Sequence, residues 1–392
     1  GRSVYKPLAE LADVVGITGI TAMDKAVRLT EAIKSLKKKM DIPNGFSEIK
    51  QEEISLMAAY ADSEANPLYP VPKLMDKEAL DHFIEGLMVN VEFKSEYSSF
   101  TGKIAWINLS ELKVSDYQLS DEDRRRFLGG KGIAAKILFD NLPADVIPLG
   151  PDNLIVITTG PFSGTGVPTS GRYNISTISP LTGLCVSSNS GGDFGFHMKK
   201  CGYDGLVIAG RAERLTAIEI SAEGDITFHD AEYLQGKTTG ETQAELGKPA
   251  LVIGPAGENK VLYASVMSSD RAFGRGGVGA VFGDKKLKAL YARGTKKTVV
   301  ADRVFLRDHI RAWNKLLRAH PYTGRIWPDL GTTSPVRPMH KIGILATHNF
   351  DLGQFEGYDH ISGETLRDKY VIKHSGCIAC PIRCSRVVKM GD

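Results

Sequence analysis

The apolar positions of the first ninety residues recur at the three- and four-residue spacing of α-helices. One apolar stripe covers residues 26–40, a turn at residues 43–45 interrupts it, and a second stripe covers residues 54–61. Asp76 is a suitable N-cap for a further helix with its own apolar stripe. The pattern predicts a helical segment over residues 1–97.

From about residue 98 the pattern changes to short apolar runs rich in β-branched residues and separated by glycines, which is typical of strands. These predicted strands are residues 104–109, 154–158, 173–178, 206–208, 218–220 and 251–253. Helical spacing returns after residue 300 and leads into a group of cysteines. We therefore expect an α+β multidomain fold with a β-rich domain over residues 98–300 and the beginning of a helical domain over residues 301–392.

The β-rich region resembles an internal duplication. A predicted strand leads into Gly160-Pro161, and another leads into Gly254-Pro255 94 residues later. A loop containing Arg172 follows in the first half, and a loop containing Arg271 follows in the second half, 99 residues further on. The similar offsets predict two similar halves, which would suit a ligand that is itself double.

Composition narrows the class of protein. The chain has 392 residues, 42% hydrophobic and 24% charged, which excludes a disordered or fibrous protein. Its formal charge of +3 is too small to predict a nucleic-acid or membrane partner. No apolar run reaches the roughly 20 residues that span a bilayer, and the first residues do not resemble an export signal. We expect a cytoplasmic protein, and we expect the sequence to be incomplete at both ends.

The strongest chemical signal is the group Cys377, Cys380 and Cys384. Close thiolates are soft ligands that can share one metal centre, and this spacing favours an iron–sulfur cluster over structural zinc or a thioredoxin-like redox pair. A closed site needs a fourth ligand. Cys185, Cys201 and a residue beyond this sequence are the alternatives.

Three glycine-rich loops are candidates for binding anions, because their backbone N–H groups can approach a phosphate closely. They are residues 164–174, 189–192 and 271–279, and two of them carry arginine. Each loop taken singly is more often a plain β-turn. Gly274 begins a G-x-G-x-x-G match that lacks the strand and long helix of a dinucleotide site, and Lys131 lacks the spacing of a P-loop. Together the loops favour a large phosphorylated ligand.

From about residue 98 onward the sequence resembles the aldehyde:ferredoxin oxidoreductase family of tungsten enzymes. The motifs that carry the resemblance occur in family order over nearly 300 residues. They are residues 101–103, 108–110, 129–132, 159–161, 171–174, 179–183, 189–192, 202–204, 253–259, 274–280 and 377–384.

The resemblance implies a tungsten or molybdenum ion held by two pterins beside a [4Fe–4S] cluster, with an aldehyde oxidised to a carboxylate and electrons passed to ferredoxin or a similar acceptor. It assigns Arg172 to a position between pterin and cluster. It assigns the pterin phosphates, and a bridging magnesium ion, to Asn189, Gly191, Arg271, Ala272, Gly274 and Arg275, with the carbonyls of Asn189 and Ala272 as magnesium contacts. Cys377, Cys380 and Cys384 correspond to three cluster ligands.

The family's fourth cluster cysteine and its acid and histidine near the metal have no counterpart in this sequence, so we assign no catalytic residue. No nucleic-acid or membrane partner is expected, and a homo-oligomer is compatible with the resemblance. The alternative from another class is a non-catalytic iron–sulfur scaffold or electron-transfer subunit. A nicotinamide-dependent dehydrogenase ranks third.

Residues 1 to about 90 resemble the C-terminal helical part of iron-dependent alcohol dehydrogenases. The resemblance rests on Lys6-Pro7-Leu8-Ala9, on the helical stripe that leads into Ile42-Pro43, and on Ala65-Asn66-Pro67. His82 alone replaces none of that family's metal ligands. We expect a catalytically inert segment, from a true fusion or from a joined gene model. In a fusion, one half would form an aldehyde that the other half oxidises.

Overall fold

The fold was analysed in a computed structural model, which describes residues 5–40, 54–65, 80 and 98–391. The chain divides into two units, Gly1–Phe93 and Lys94–Asp392, and each is described by itself. Within the described ranges, no helix combines the length and the apolar character needed to cross a membrane.

The described part of the first unit is helical. Its helices are α1 (Tyr5–Val14), α2 (Ala22–Lys39) and α3 (Ile54–Ala65). Ala12 and Ala26 are buried where α1 and α2 pack together, and Lys25 Nζ lies 2.5 Å from Asp13 Oδ1. The helices predicted over residues 26–40 and 54–61 are confirmed. The helix predicted after Asp76 lies outside the described residues, except for the helical Leu80.

The second unit begins with a six-stranded mixed sheet within residues 98–391. Its strands are β1 (Ile104–Asn108), β2 (Lys113–Tyr117), β3 (Ile155–Thr159), β4 (Tyr173–Ile178), β5 (Cys185–Ser190) and β6 (Gly205–Ala209). They lie in the order β2-β1-β6-β3-β4-β5, and only the β1–β6 pairing is parallel. Helices α4 (Asp121–Phe127) and α5 (Lys131–Asn141) precede β3, and α6 (Phe194–Cys201) precedes β6.

A second six-stranded sheet in the same part of the chain repeats this topology. Its strands are β7 (Thr216–Ile220), β8 (Ile226–Asp230), β9 (Ala250–Val252), β10 (Val266–Ser268), β11 (Arg271–Phe273) and β12 (Leu287–Ala292). The order is β8-β7-β12-β9-β10-β11, and again only one pairing, β7–β12, is parallel. Helices α7 (Thr239–Leu246), α8 (Pro255–Glu258) and α9 (Val278–Asp284) complete this half. The predicted duplication is confirmed, and we call the two halves together the platform.

Equivalent strands identify which loops correspond. Gly160 follows the third strand of the first half, and Gly254 follows the third strand of the second half, so these two turns are equivalent. The arginines are not equivalent, because Arg172 immediately precedes a fourth strand whereas Arg271 opens a fifth strand. Their similar offset in sequence arises from loops of different length.

One apolar core joins the two halves. Ile157 and Leu206 of the first sheet belong to the same buried cluster as Ile218 and Leu251 of the second sheet, together with residues of α6 and α9. Helix α9 is buried along its whole length. The outer faces of the sheets carry separate clusters, which involve α5 on the first sheet and α7 on the second. The shared core fixes the loops of one half relative to those of the other.

The remaining residues of the second unit form helices and one hairpin. The helices are α10 (Arg303–Ala319), α11 (Trp327–Leu330), α12 (Val336–Lys341) and α13 (Gly363–Lys369). The side chain of Asp302 caps α10 by accepting a hydrogen bond from Phe305 N, which confirms the helix predicted after residue 300. The hairpin consists of β13 (Val371–Ser375) and β14 (Ser385–Val388).

Candidate cofactor-binding site

The loop of the β13–β14 hairpin carries all three clustered cysteines. The last pair of the hairpin joins Ser375 to Ser385, so residues 376–384 form a closed loop. A Cβ on Gly376 would lie 2.8 Å from Arg383 Cα, which means that the two ends of the loop touch there. The hairpin thereby confines Cys377, Cys380 and Cys384 to a short stretch of surface.

Arg386 fastens this hairpin to the preceding helices. Its Nη2 donates hydrogen bonds to the carbonyl oxygens of Trp327 at 2.7 Å and Pro328 at 2.6 Å. Its Nη1 donates to the carbonyl oxygens of Arg383 and Ser385, both at 2.8 Å. A single guanidinium therefore holds the loop and its support together.

The cysteine loop lies directly against glycines of the platform. A Cβ added at Gly171 would lie 3.5 Å from Cys377 Cβ and 3.4 Å from the Ile378 carbonyl oxygen. A Cβ added at Gly191 would lie only 2.8 Å from Cys377 Sγ. A Cβ at Gly171 would make ordinary van der Waals contacts, whereas the absence of a side chain at Gly191 is what allows the sulfur to approach the platform.

Both predicted arginines lie at this contact. Arg172 is exposed, and its Nη2 donates a 2.7 Å hydrogen bond to the carbonyl oxygen of Asn189. The side chain of Arg271 lies beside Gly191, since its Cγ would be 3.7 Å from a Cβ added at Gly191. The structure thus brings together Arg172, Asn189, Gly191, Arg271 and Cys377, residues from four separate segments of the chain.

The other predicted phosphate contacts lie in β11 and in the loop that follows it. Ala272, Gly274 and Arg275 are exposed, and the backbone N–H of Arg275 donates to Ser188 Oγ at 3.4 Å. Asn189 and Ala272 both lie in the fifth strand of their half. The Asn189 carbonyl oxygen accepts a hydrogen bond from Arg172 Nη2.

A hydrogen bond across the seam of the platform sets the spacing of these loops. Tyr173 of β4 donates from its hydroxyl to Ser268 Oγ of β10 at 2.7 Å, and its ring packs edge-on against Phe273 of β11, with centroids 4.9 Å apart. Burial raises the pKa of Tyr173 far above its ordinary value, so the hydroxyl remains a neutral donor. The residue next to Arg172 is thereby fixed to the strand that leads to Arg271.

The three thiols of the cysteine loop do not converge on a preformed metal site. Within residues 5–40, 54–65, 80 and 98–391, no three His, Cys, Asp or Glu side chains are grouped so that they could hold one. The shared thiolate site stays a prediction. The donor set nevertheless fits an iron–sulfur cluster, because Cys377, Cys380 and Cys384 are free and partly exposed. Thiolates usually converge only as the metal binds them.

Neither cysteine of the platform can supply the fourth ligand. Cys185 opens β5, whose other end approaches the cysteine loop, so roughly 17 Å of extended strand separates it from Ser190. Cys201 is 1% exposed, and its thiol donates to the Ile220 carbonyl oxygen at 3.7 Å. Burial raises the pKa of Cys201 to about 11, which disfavours the thiolate that a metal needs.

A buried ion pair supports the platform beneath the loops, and sequence reasoning missed it. Lys199 Nζ lies 3.0 Å from Asp204 Oδ1, with side chains only 1% and 8% exposed. Lys199 also donates to the Gly160 carbonyl oxygen at 3.2 Å, and Asp204 accepts from the backbone N–H groups of Thr101 and Gly102. Asp204 belongs to the motif at residues 202–204 that carries part of the family resemblance, but nothing in the sequence indicates that Lys199 is buried.

Neither glycine-rich nucleotide motif has the surroundings of a nucleotide site. A strand does precede Gly274, contrary to expectation, because residues 271–273 form β11. The following helix, α9, is short as expected, and β11 pairs antiparallel with β10 instead of belonging to a parallel β-α-β unit. Lys131 is exposed at the first position of α5, where the preceding glycines contact the end of β3.

Replacing Gly191 with alanine is expected to reduce the iron content of the purified protein several-fold. The added Cβ would displace Cys377 Sγ or the loop that carries it, at a cost of about 1–3 kcal/mol. Iron would be measured by plasma mass spectrometry after anaerobic purification. Gly240→Ala is the matched control, because a Cβ there meets nothing within 4 Å. Equal iron in both variants would contradict the assigned contact.

The fold and the site together define a duplicated α+β platform with a cysteine hairpin seated on its glycine-rich loops. Residues 104–294 match the family model for the N-terminal domain of aldehyde ferredoxin oxidoreductase, and residues 308–392 match the model for domains 2 and 3 of the same family. The chain belongs to the aldehyde ferredoxin oxidoreductase family.

Similar proteins agree with this assignment. The chain is 40% identical over 299 residues to the tungsten-containing aldehyde ferredoxin oxidoreductase of Thermococcus kodakarensis and 39% identical over 299 residues to that of Pyrococcus furiosus. Each match covers 74% of this chain and 49% of the relative, so the chain spans about half the length of these curated relatives.

A solved structure has the same fold. The active site complex BamBC of benzoyl coenzyme A reductase, in complex with 1,5-dienoyl-CoA, superposes with a TM-score of 0.64 at 29% identity. The match covers 75% of this chain and 48% of that chain. The α+β multidomain fold is thereby confirmed. The family models begin at residue 104, and the resemblance of residues 1–90 to alcohol dehydrogenases stays a prediction.

Proposed function

We propose that the protein is a tungsten or molybdenum bis-pterin oxidoreductase, which oxidises aldehydes to carboxylic acids and passes the electrons through a [4Fe–4S] cluster to ferredoxin or a similar acceptor. The observation that carries this proposal is the contact of Cys377 with Gly191, beside Arg172 and Arg271. A cluster held by the cysteine loop would adjoin a ligand held by the platform. The free cysteines and the family suit a cytoplasmic location.

The residues divide into three roles. Cys377, Cys380 and Cys384 would hold the cluster. Arg172, with one guanidinium nitrogen on the Asn189 carbonyl and the rest of its fork exposed, would orient the pterin next to Cys377. Six residues from both halves would hold the two pterin phosphates and a magnesium ion between them: Asn189, Gly191, Arg271, Ala272, Gly274 and Arg275.

The bound metal and pterins would supply the redox chemistry, in which an aldehyde and water give a carboxylate, protons and two electrons. The described residues position the loops that would hold these groups. Tyr173 and Ser268 hold the two halves in register, and the Lys199–Asp204 pair fixes the Gly160 turn. The general base that removes the protons remains unassigned.

The proposal is tested by metal analysis of anaerobically purified protein together with an activity assay. We expect tungsten or molybdenum, iron, broad visible absorption of an iron–sulfur cluster, and aldehyde-dependent reduction of benzyl viologen. Zinc as the only metal, without that absorption, would reject both the enzyme and the scaffold alternative. Iron without tungsten, molybdenum or aldehyde oxidation would favour the scaffold.

A further inference from the structure

The turn that precedes Arg271 has an unusual backbone conformation. Ser268 pairs with Arg271 between β10 and β11, so residues 269 and 270 form a two-residue turn. Ser269 has a φ of 54°, in the left-handed region that residues with a side chain rarely adopt. Such a conformation persists only where surrounding groups hold it. Because Arg271 follows this turn directly, the direction of its side chain depends on those groups.

Two side-chain hydrogen bonds hold Ser269. Its hydroxyl donates to Asp193 Oδ2 at 3.3 Å, and its carbonyl oxygen accepts from Gln243 Nε2 at 3.2 Å. Asp193 directly precedes α6 in the first half of the platform, whereas Gln243 lies on α7 in the second half. The turn is therefore attached to the half that carries Gly191 as well as to its own half.

Asp193 occupies the N-cap position of α6 without capping that helix. An aspartate at this position ordinarily accepts a hydrogen bond from the first turn of its own helix, as Asp302 does for α10. The Asp193 carboxylate makes no such bond with the described first turn of α6 and accepts from Ser269 instead. The side chain thus makes a contact across the seam in place of a helix cap.

The backbone beside Asp193 packs closely on the same turn. Gly192 has a φ of 96°, and a Cβ there would overlap Ser268 Oγ and lie 2.6 Å from the Ser268 carbonyl oxygen. The segment that carries Gly191 and the turn that carries Arg271 are therefore in direct contact, and Asp193 joins them by a side-chain hydrogen bond.

The negative charge of Asp193 is not what favours an anion here, because a carboxylate near a phosphate repels it. Asp270, the other acidic residue close to Arg271, holds that arginine weakly. Its Oδ1 lies 3.4 Å from Arg271 Nε, and the two side chains are 63% and 26% exposed, which leaves the pair largely solvated. The contribution that Asp193 can make is its hydrogen bond to Ser269.

We propose that Asp193 is a positioning residue for the cofactor. Its carboxylate oxygen holds Ser269, and through that turn it orients the Arg271 guanidinium toward a phosphate ester beside Gly191. This inference rests on the proposed function. The role depends on the oxygen acceptor of Asp193 and not on its charge, which separates it from a general electrostatic effect.

The test compares Asp193→Ala, Asp193→Asn and Ser269→Ala in the purified protein. Bound pterin is measured by the fluorescence of its oxidised form, and inorganic phosphate is titrated onto cofactor-free protein by calorimetry. Asp193→Ala is expected to lower pterin content and phosphate affinity roughly tenfold. Asp193→Asn keeps an oxygen acceptor and lacks the charge, so it should bind phosphate at least as well as the parent.

A double variant tests whether Asp193 acts through Ser269. Asp193→Ala combined with Ser269→Ala should lose no more than either single variant, because both remove the same hydrogen bond. Asp270→Ala is the matched control, since it removes a carboxylate beside Arg271 and should leave phosphate affinity equal to or above that of the parent. If Asp193→Ala does not fold, Ser269→Ala removes the same bond and decides alone.

The outcomes separate the two proposals. Equal results for Asp193→Ala and Asp193→Asn, losses that multiply in the double variant, or an equal loss in Asp270→Ala would overturn the positioning role and leave the proposed function intact. If the parent holds no pterin, the proposed function fails, and the phosphate titrations still decide the positioning role. A parent that binds no phosphate would overturn that role.

Discussion

Replacement of Asp204 with alanine is expected to lower the free energy of unfolding by about 3–5 kcal/mol. The change removes the carboxylate that neutralises the buried Lys199 ammonium, which keeps its hydrogen bond to the Gly160 carbonyl oxygen. It also removes the acceptor of the Thr101 and Gly102 N–H groups. Burial already lowers the pKa of Lys199, and Asp204 is the group that opposes this shift. Denaturant-induced unfolding, monitored by circular dichroism, would measure the decrease in the free energy of unfolding.

Two further variants test whether the expected destabilisation arises from the buried Lys199–Asp204 pair. Lys199→Met should cost less than Asp204→Ala, because the carboxylate keeps its two backbone donors. Asp140→Ala is the control, since it breaks the solvent-exposed Lys136–Asp140 pair on α5, and it should cost much less than Asp204→Ala. Equal decreases in the free energy of unfolding for Asp204→Ala and Asp140→Ala would show that the buried pair stabilises the fold no more than an exposed pair does.

Replacement of Arg172 or Arg271 with methionine is expected to lower tungsten or molybdenum content, and to lower aldehyde oxidation about 10- to 100-fold. Methionine keeps much of the side-chain volume but removes the planar donor fork that suits phosphate and carbonyl oxygens. Arg172→Lys should also lose activity, because an ammonium cannot reproduce the fork. Metal content and viologen-linked activity would be measured on the same preparations.

The effect of replacing Arg172 or Arg271 also distinguishes the enzyme from the iron–sulfur scaffold. An iron–sulfur scaffold that lacks pterin would be indifferent to both substitutions, and its visible spectrum would not change. The control is Arg126→Met on α4, where the side chain is 68% exposed and pairs with Glu122 across one helical turn. If Arg126→Met is as damaging as Arg172→Met, the loss reflects general instability and the assigned role is wrong.

The internal strands could be predicted from sequence because their residues are apolar and flanked by glycine. Residues 104–109, 154–158 and 173–178 correspond to β1, β3 and β4. The strand β5 could not be predicted in this way. It contains serines and an asparagine at the edge of the first sheet, and pairing with β4 alone makes it extended. Asn189, expected in a loop, therefore lies in a strand.

The candidate site, like the fold, could be predicted from the sequence only in part. Glycine-rich motifs and cysteine spacing identify Gly191, Arg271 and Cys377 separately, because each lies in a distinctive local sequence. Their meeting depends on the seam between the two sheets and on the docking of the hairpin, which no local pattern encodes. The unequal placement of Arg172 and Arg271 likewise becomes visible only when the strands are superposed in order.

The order of strands has a consequence for synthesis on the ribosome. In each sheet the strand that enters the middle, β6 or β12, is the last of its half to be made. The core shared by both sheets can therefore close only after Ala292 has left the exit tunnel, and until then the nascent chain exposes apolar strand edges. Such partly folded chains are prone to aggregation until the last strand of each sheet is in place.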